Sequence, residues 1–92
     1  MAERLTAQVW ATPIPAQAKL TLLALAWLAD DSTGRARLSP KEIWTLSNAS
    51  RSTTYRAITF LEERGHIKVR RDKHGCHACY TLNVGEAERR YG

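Results

Sequence analysis

The chain has no long apolar run, no glycine-rich loop, no repeat and only two cysteines, and each absence removes a class of function. Its longest apolar segment, residues 20–29, is interrupted by Thr21 and bounded by Lys19 and Asp30. A membrane-spanning helix needs about 20 consecutive apolar residues, so none is expected. The N-terminus lacks a basic region followed by an apolar stretch, so no secretory signal is read and a cytoplasmic protein is expected. Without a glycine-rich phosphate loop, paired carboxylates or a nucleophile with an evident base, the sequence offers no catalytic constellation. Ninety-two residues also leave little room for a substrate pocket once a core is packed. An enzyme is not expected.

The cysteines fall in "HGCHAC", which holds His74, Cys76, His77 and Cys79. That cluster raises the question of zinc. Structural zinc draws on two separated ligand pairs, and the only other candidate ligand of this type is His66. In a regular strand Cys76 and Cys79 also face opposite sides. Neither a metal nor another cofactor is expected, and a reducing cytosol disfavours a disulfide.

What is present is a basic surplus on an otherwise ordinary globular composition. Hydrophobic residues make up 43% and charged residues 25% of the chain, which suits one small folded domain. The net charge is +5, from fourteen Lys and Arg against nine Asp and Glu. Residues 1–46 carry five basic and four acidic side chains, and residues 47–92 carry nine and five. A surplus concentrated in the second half favours a polyanionic partner, with nucleic acid ahead of a membrane surface.

Residues 1–15 read as an N-terminal arm or short element that docks Trp10 onto the body, with Leu5 and Val9 as further apolar contacts. Pro13 and Pro15 forbid a continuous helix from this arm into residue 16 and beyond. A first helix is predicted over residues 16–30. Ala16, Leu20, Leu23 and Trp27 form one stripe on it, and Leu22, Leu25, Ala26 and Leu28 widen that stripe. So broad an apolar surface is either buried on several sides or shared with a partner chain. After the polar turn "DDSTGRAR", residues 36–38 read as a short strand.

"SPKE" at residues 39–42 is a capping box with proline at the first helical position. It starts a second helix that carries Ile43, Trp44 and Leu46 inward. Ser50 caps a third helix over residues 51–64, which Gly65 ends. At about 100° per residue, Thr54, Ala57, Ile58 and Leu61 share one face of it, and Ser52, Arg56, Thr59 and Glu63 share the other. Phe60 lies off the apolar seam and is expected against the wing or the arm. Beyond Gly65 the period changes to two. A β-hairpin is predicted over residues 67–83, turning at "DKHG" (residues 72–75) and placing Ala78, Tyr80 and Leu82 on one side. The polar tail covers residues 85–92.

Helix, strand, helix, tight turn, helix, hairpin is the order of a winged helix-turn-helix, an α+β fold. The chain resembles the winged helix-turn-helix domains of phage and plasmid replication and regulatory proteins. "KLTLLALA" at residues 19–26, "SRST" at 50–53 and "LEERGHI" at 61–67 carry the resemblance, which spans residues 16–83. Thr54, Tyr55 and His66 depart from the family's usual pattern. The resemblance implies a domain over residues 16–84 whose third helix enters a major groove of double-stranded DNA.

The exposed start of that helix, Arg51, Ser52, Thr53, Tyr55 and Arg56, is the candidate for base contact. Thr59 and Lys41 suit phosphates, and Lys68, Arg70, Arg71 and Lys73 in the wing suit backbone or minor-groove contact. The expected protein is a small transcriptional repressor of a phage, plasmid or other mobile element. It would be homodimeric and associated with a bacterial nucleoid. An origin-binding or excision accessory factor is the alternative in the same structural class. A winged-helix protein-interaction module is the alternative outside it, and such modules tend to lose the basic residues this chain keeps.

Overall fold

Capping residues and one change of period lay out the chain. The computed structural model, which describes residues 3–30, 32–71 and 77–83, follows them in order. The elements are α1 (Glu3–Ala11), α2 (Ala16–Leu28), β1 (Arg35–Leu38), α3 (Pro40–Ser47), α4 (Arg51–Glu63), β2 (Ile67–Arg71) and β3 (Ala78–Leu82). The turn expected at residues 72–75 and the tail at 85–92 lie outside the described residues.

The N-terminal arm is helical, and its docking differs from expectation. Leu5 and Val9 are buried, whereas Trp10 is 64% exposed. Leu5 and Val9 lie about 40° apart around the helix, and Trp10 lies about 100° beyond Val9. The α2 surface therefore receives the Leu5–Val9 edge and leaves Trp10 outside. At the end of α1, the Lys19 amino group donates to the Trp10 carbonyl at 3.1 Å. That bond satisfies one of the acceptors a helix C-terminus leaves open.

Helix α2 is the centre of the molecule and packs against the other three helices and against β1 and β3. It buries Ala18, Thr21, Leu22, Ala24, Leu25 and Ala26. The expected stripe is turned the other way: Ala16, Leu20 and Trp27 are exposed and Leu23 is half-buried. A helix apolar on nearly every side has no stripe of its own to bury, so its neighbours choose the inward face.

After α2, the Asp30 carboxylate accepts from the Ser32 backbone N–H at 2.8 Å and from its hydroxyl at 2.6 Å. These bonds hold the Asp30 carboxyl below its ordinary range. The turn passes through Gly34 at φ +69 and delivers the chain into β1. The three strands form one antiparallel sheet in the order β1-β3-β2. The hairpin's return strand is thus the middle strand, with β1 on its far side. Ala36, Leu38, Ile67, Ala78, Tyr80 and Leu82 are buried on the inner face.

Helix α3 starts as predicted, with the Glu42 carboxylate accepting from the Ser39 backbone N–H at 2.8 Å. Ile43 is fully buried, but Leu46 is 48% exposed and Ser47 takes the inward place expected for it. Ser47 lies about 40° from Ile43 around the helix and Leu46 about 60° the other way. The Ser47 hydroxyl donates to the Ile43 carbonyl at 2.8 Å, so it is buried without an unmet hydrogen bond.

Candidate nucleic-acid interface

A three-residue turn sets the direction of α4. Asn48 caps α3 in the left-handed region at φ 55, a conformation that Asn tolerates better than most residues. Ala49 donates back to the Trp44 carbonyl at 3.1 Å. Ser50 then caps α4, its hydroxyl oxygen accepting from the Thr53 backbone N–H at 3.1 Å.

The far end of α4 is closed by a Schellman arrangement. The backbone N–H of His66 donates to Leu61, and that of Gly65 to Glu62. Gly65 sits at φ +79, where residues with a Cβ are strained.

Between these caps α4 divides as its spacing predicts. Thr54, Ala57, Ile58 and Leu61 are buried. Ser52, Arg56, Thr59 and Glu63 are exposed. Phe60 packs partly buried against the core, and the Arg64 guanidinium lies 4.9 Å from its ring centre.

Among the candidate base-contact residues, Arg51, Ser52, Tyr55 and Arg56 are exposed on the first two turns of α4, and Thr53 is half-buried. The Thr53 hydroxyl accepts from Ser50 at 2.8 Å, which makes it part of the cap. The Arg51 guanidinium lies 5.6 Å from the centre of the Tyr55 ring. Trp44 of α3 meets that ring edge-on, with centres 6.2 Å apart. Trp44 therefore supports Tyr55 from α3, whereas the sequence placed it inward with Ile43.

Lys41 is exposed on the first turn of α3, and Thr59 is exposed farther along α4. Lys68 and Arg70 stand on the outer face of β2. Arg71, at the end of β2, reaches Glu62 of α4 at 3.8 Å, and both side chains remain substantially exposed. Lys73 lies outside the described residues, as do His74 and Cys76. Cys79 is half-buried on β3 and His77 is exposed. Among the described residues no three His, Cys, Asp or Glu side chains cluster in a way that would hold a metal ion.

Arg35 and Arg37 were given no role from sequence. Both are exposed on β1.

Among the described residues, four helices, a three-residue turn before α4 and a three-stranded antiparallel sheet define a winged helix-turn-helix. A family model described as a helix-turn-helix domain matches residues 12–67, and the chain belongs to that family. No curated protein matches the chain. Among the described residues no helix is long and apolar enough to cross a membrane.

Proposed function

We propose that this protein is a sequence-specific double-stranded DNA-binding protein that reads a major groove with the first two turns of α4. The observation that carries this reading is the composition of that surface. Arg51, Ser52, Tyr55 and Arg56 stand exposed on a helix whose opposite side is locked into the core. Arginine pairs bidentately with guanine O6 and N7, serine adapts to several base edges, and tyrosine contacts a thymine methyl or a phosphate. Lys41 and Thr59 flank them for phosphate contact, and Lys68, Arg70, Arg71 and Lys73 extend the basic surface into the wing.

The role this surface serves most simply is that of a small repressor, which needs only to occupy a promoter. The resemblance of its helix motifs to phage and plasmid proteins supports a mobile element as its setting. One recognition helix touches too few base pairs to select a site from a genome of competitors, so a second copy is needed. The outward apolar edge of α2, with Leu20 and Trp27 exposed, supports a two-fold contact in a homodimer.

Selection from a pool of random duplexes, followed by footprinting, tests the reading. One enriched motif is expected, with inverted half-sites about one helical turn apart. A pool that enriches no motif overturns sequence-specific binding. A single motif without inverted repeats, bound by one chain, overturns the homodimer.

A further inference from the structure

Where α3 meets α4, three side chains form one connected set. Arg51 and Tyr55 are four residues apart on α4, so they lie one turn apart and about 40° from each other around the helix. The Arg51 guanidinium sits over the Tyr55 ring, its central carbon 5.6 Å from the ring centre. Trp44 of α3 meets the same ring edge-on, with centres 6.2 Å apart. Both contacts are attractive ones for an aromatic ring.

The set is anchored at one end and open at the other. Trp44 is half-buried on a helix whose start is fixed by the Ser39 capping box. Tyr55 leans on it and remains 41% exposed, so two helices fix the direction of a ring that solvent still reaches. The Arg51 contact uses the guanidinium without consuming an N–H donor. Among the described residues no carboxylate pairs with Arg51. Part of the freedom an arginine loses on binding is thus already lost in the unbound protein.

The set therefore presents two chemistries side by side, a fork of donors and an apolar ring. In a major groove the fork matches guanine O6 and N7, and an apolar surface matches the C5 methyl of a pyrimidine. Successive bases along a strand stand about 3.4 Å apart. When the guanidinium lies in the plane of its guanine, a ring centred 5.6 Å away falls between one and two base steps, against the neighbouring base pair. A C5 methyl is the apolar group that a base pair offers the ring there.

We propose that Arg51 and Tyr55 read one dinucleotide as a unit, a guanine next to a pyrimidine that carries a C5 methyl, with Trp44 as the positioning residue for the ring. The methyl belongs to thymine or to 5-methylcytosine. The inference rests on the α4 reading and names the step that this part of α4 recognises.

The test measures affinity on the selected duplex and its single-base variants. Arg51→Ala locates the guanine as the position where base preference is lost. At each adjoining base pair one methyl is then removed or added with no other change, by deoxyuridine for thymine or 5-methylcytosine for cytosine. The wild type should bind the methyl-bearing duplex about fourfold more tightly at one of these positions, the effect of moving one methyl-sized group from water into an apolar contact. A response to deoxyuridine identifies thymine as the source, and a response to 5-methylcytosine identifies the methylated base.

Tyr55→Ala should abolish that preference and Tyr55→Phe should keep it. Trp44→Ala should reduce it and Trp44→Phe should restore it in part. A ratio between two duplexes does not change because a variant is less stable, so it separates positioning from folding. Equal wild-type affinity with and without the methyl at every adjoining position overturns the proposal, and this arm needs no variant to fold. A methyl preference that survives in Tyr55→Ala overturns it too, as does an Arg51→Ala variant that keeps every base preference. An unchanged preference in Trp44→Ala overturns the positioning role. A selected motif that depends on Arg56 but ignores the methyl removes this inference and leaves the α4 reading standing. A pool that enriches no motif overturns both.

Discussion

Thr54 sits in the middle of the α4 seam, fully buried, and its hydroxyl has no hydrogen-bond partner among the described residues. An unpaired buried hydroxyl costs about 1–3 kcal/mol relative to one in water. Valine has nearly the same shape and the same branching, so Thr54→Val should raise stability by about 1 kcal/mol. Denaturant melts read this directly, and an unchanged or lower midpoint contradicts it. His66 makes a second prediction at this scale. Burial, and then the positive charge of Arg64, hold its imidazole below the ordinary value of 6.5. The folded state therefore takes up a proton less readily than the unfolded chain does. Stability from the neutral ring is fully present above the unfolded pKa and is lost as pH falls below it, through the lower folded value. His66→Gln should lose less stability than the wild type between pH 8 and pH 5.5. Equal losses in the two proteins contradict the assignment.

Helix α4 depends on its two ends. Ser50→Ala removes the acceptor for the Thr53 N–H and should cost about 1 kcal/mol of stability. Gly65→Ala should cost about 1–2 kcal/mol through backbone conformation alone. Its added Cβ meets nothing within 4 Å, so a steric origin is excluded. Thermal or urea melts check both, and a neutral Gly65→Ala would show that the left-handed turn is not needed. These caps were legible in the sequence because capping chemistry is local, decided by residues within one turn of each other. The seam of α4 was legible for the same reason, its apolar residues recurring at the helical period. Trp10, Leu46 and the outward edge of α2 were not legible. Each lies on a helix with more than one apolar direction, and the inward one was selected by packing from elements distant in sequence.

The outward edge of α2 bears on the proposed homodimer at the scale of the whole molecule. Leu20 and Trp27 are 41% and 48% exposed, and both are uncharged in a chain of net charge +5. One helix edge falls well short of the roughly 800 Å² per partner of a stable interface, so pairing should be strong only on DNA. Leu20→Arg with Trp27→Arg should leave a folded monomer and reduce the two-chain complex on a selected duplex at least tenfold, read from its mass by sedimentation. An unchanged two-chain complex would place the contact elsewhere. The central claim is that α4 reads base edges. The most direct test measures wild type and Arg56→Ala against every single-base substitution of the selected duplex. Arg56→Ala should lose on the order of 1–3 kcal/mol on the parent site and become indifferent at one base pair, keeping its preference at the others. A uniform loss at every position, or none, would contradict the claim.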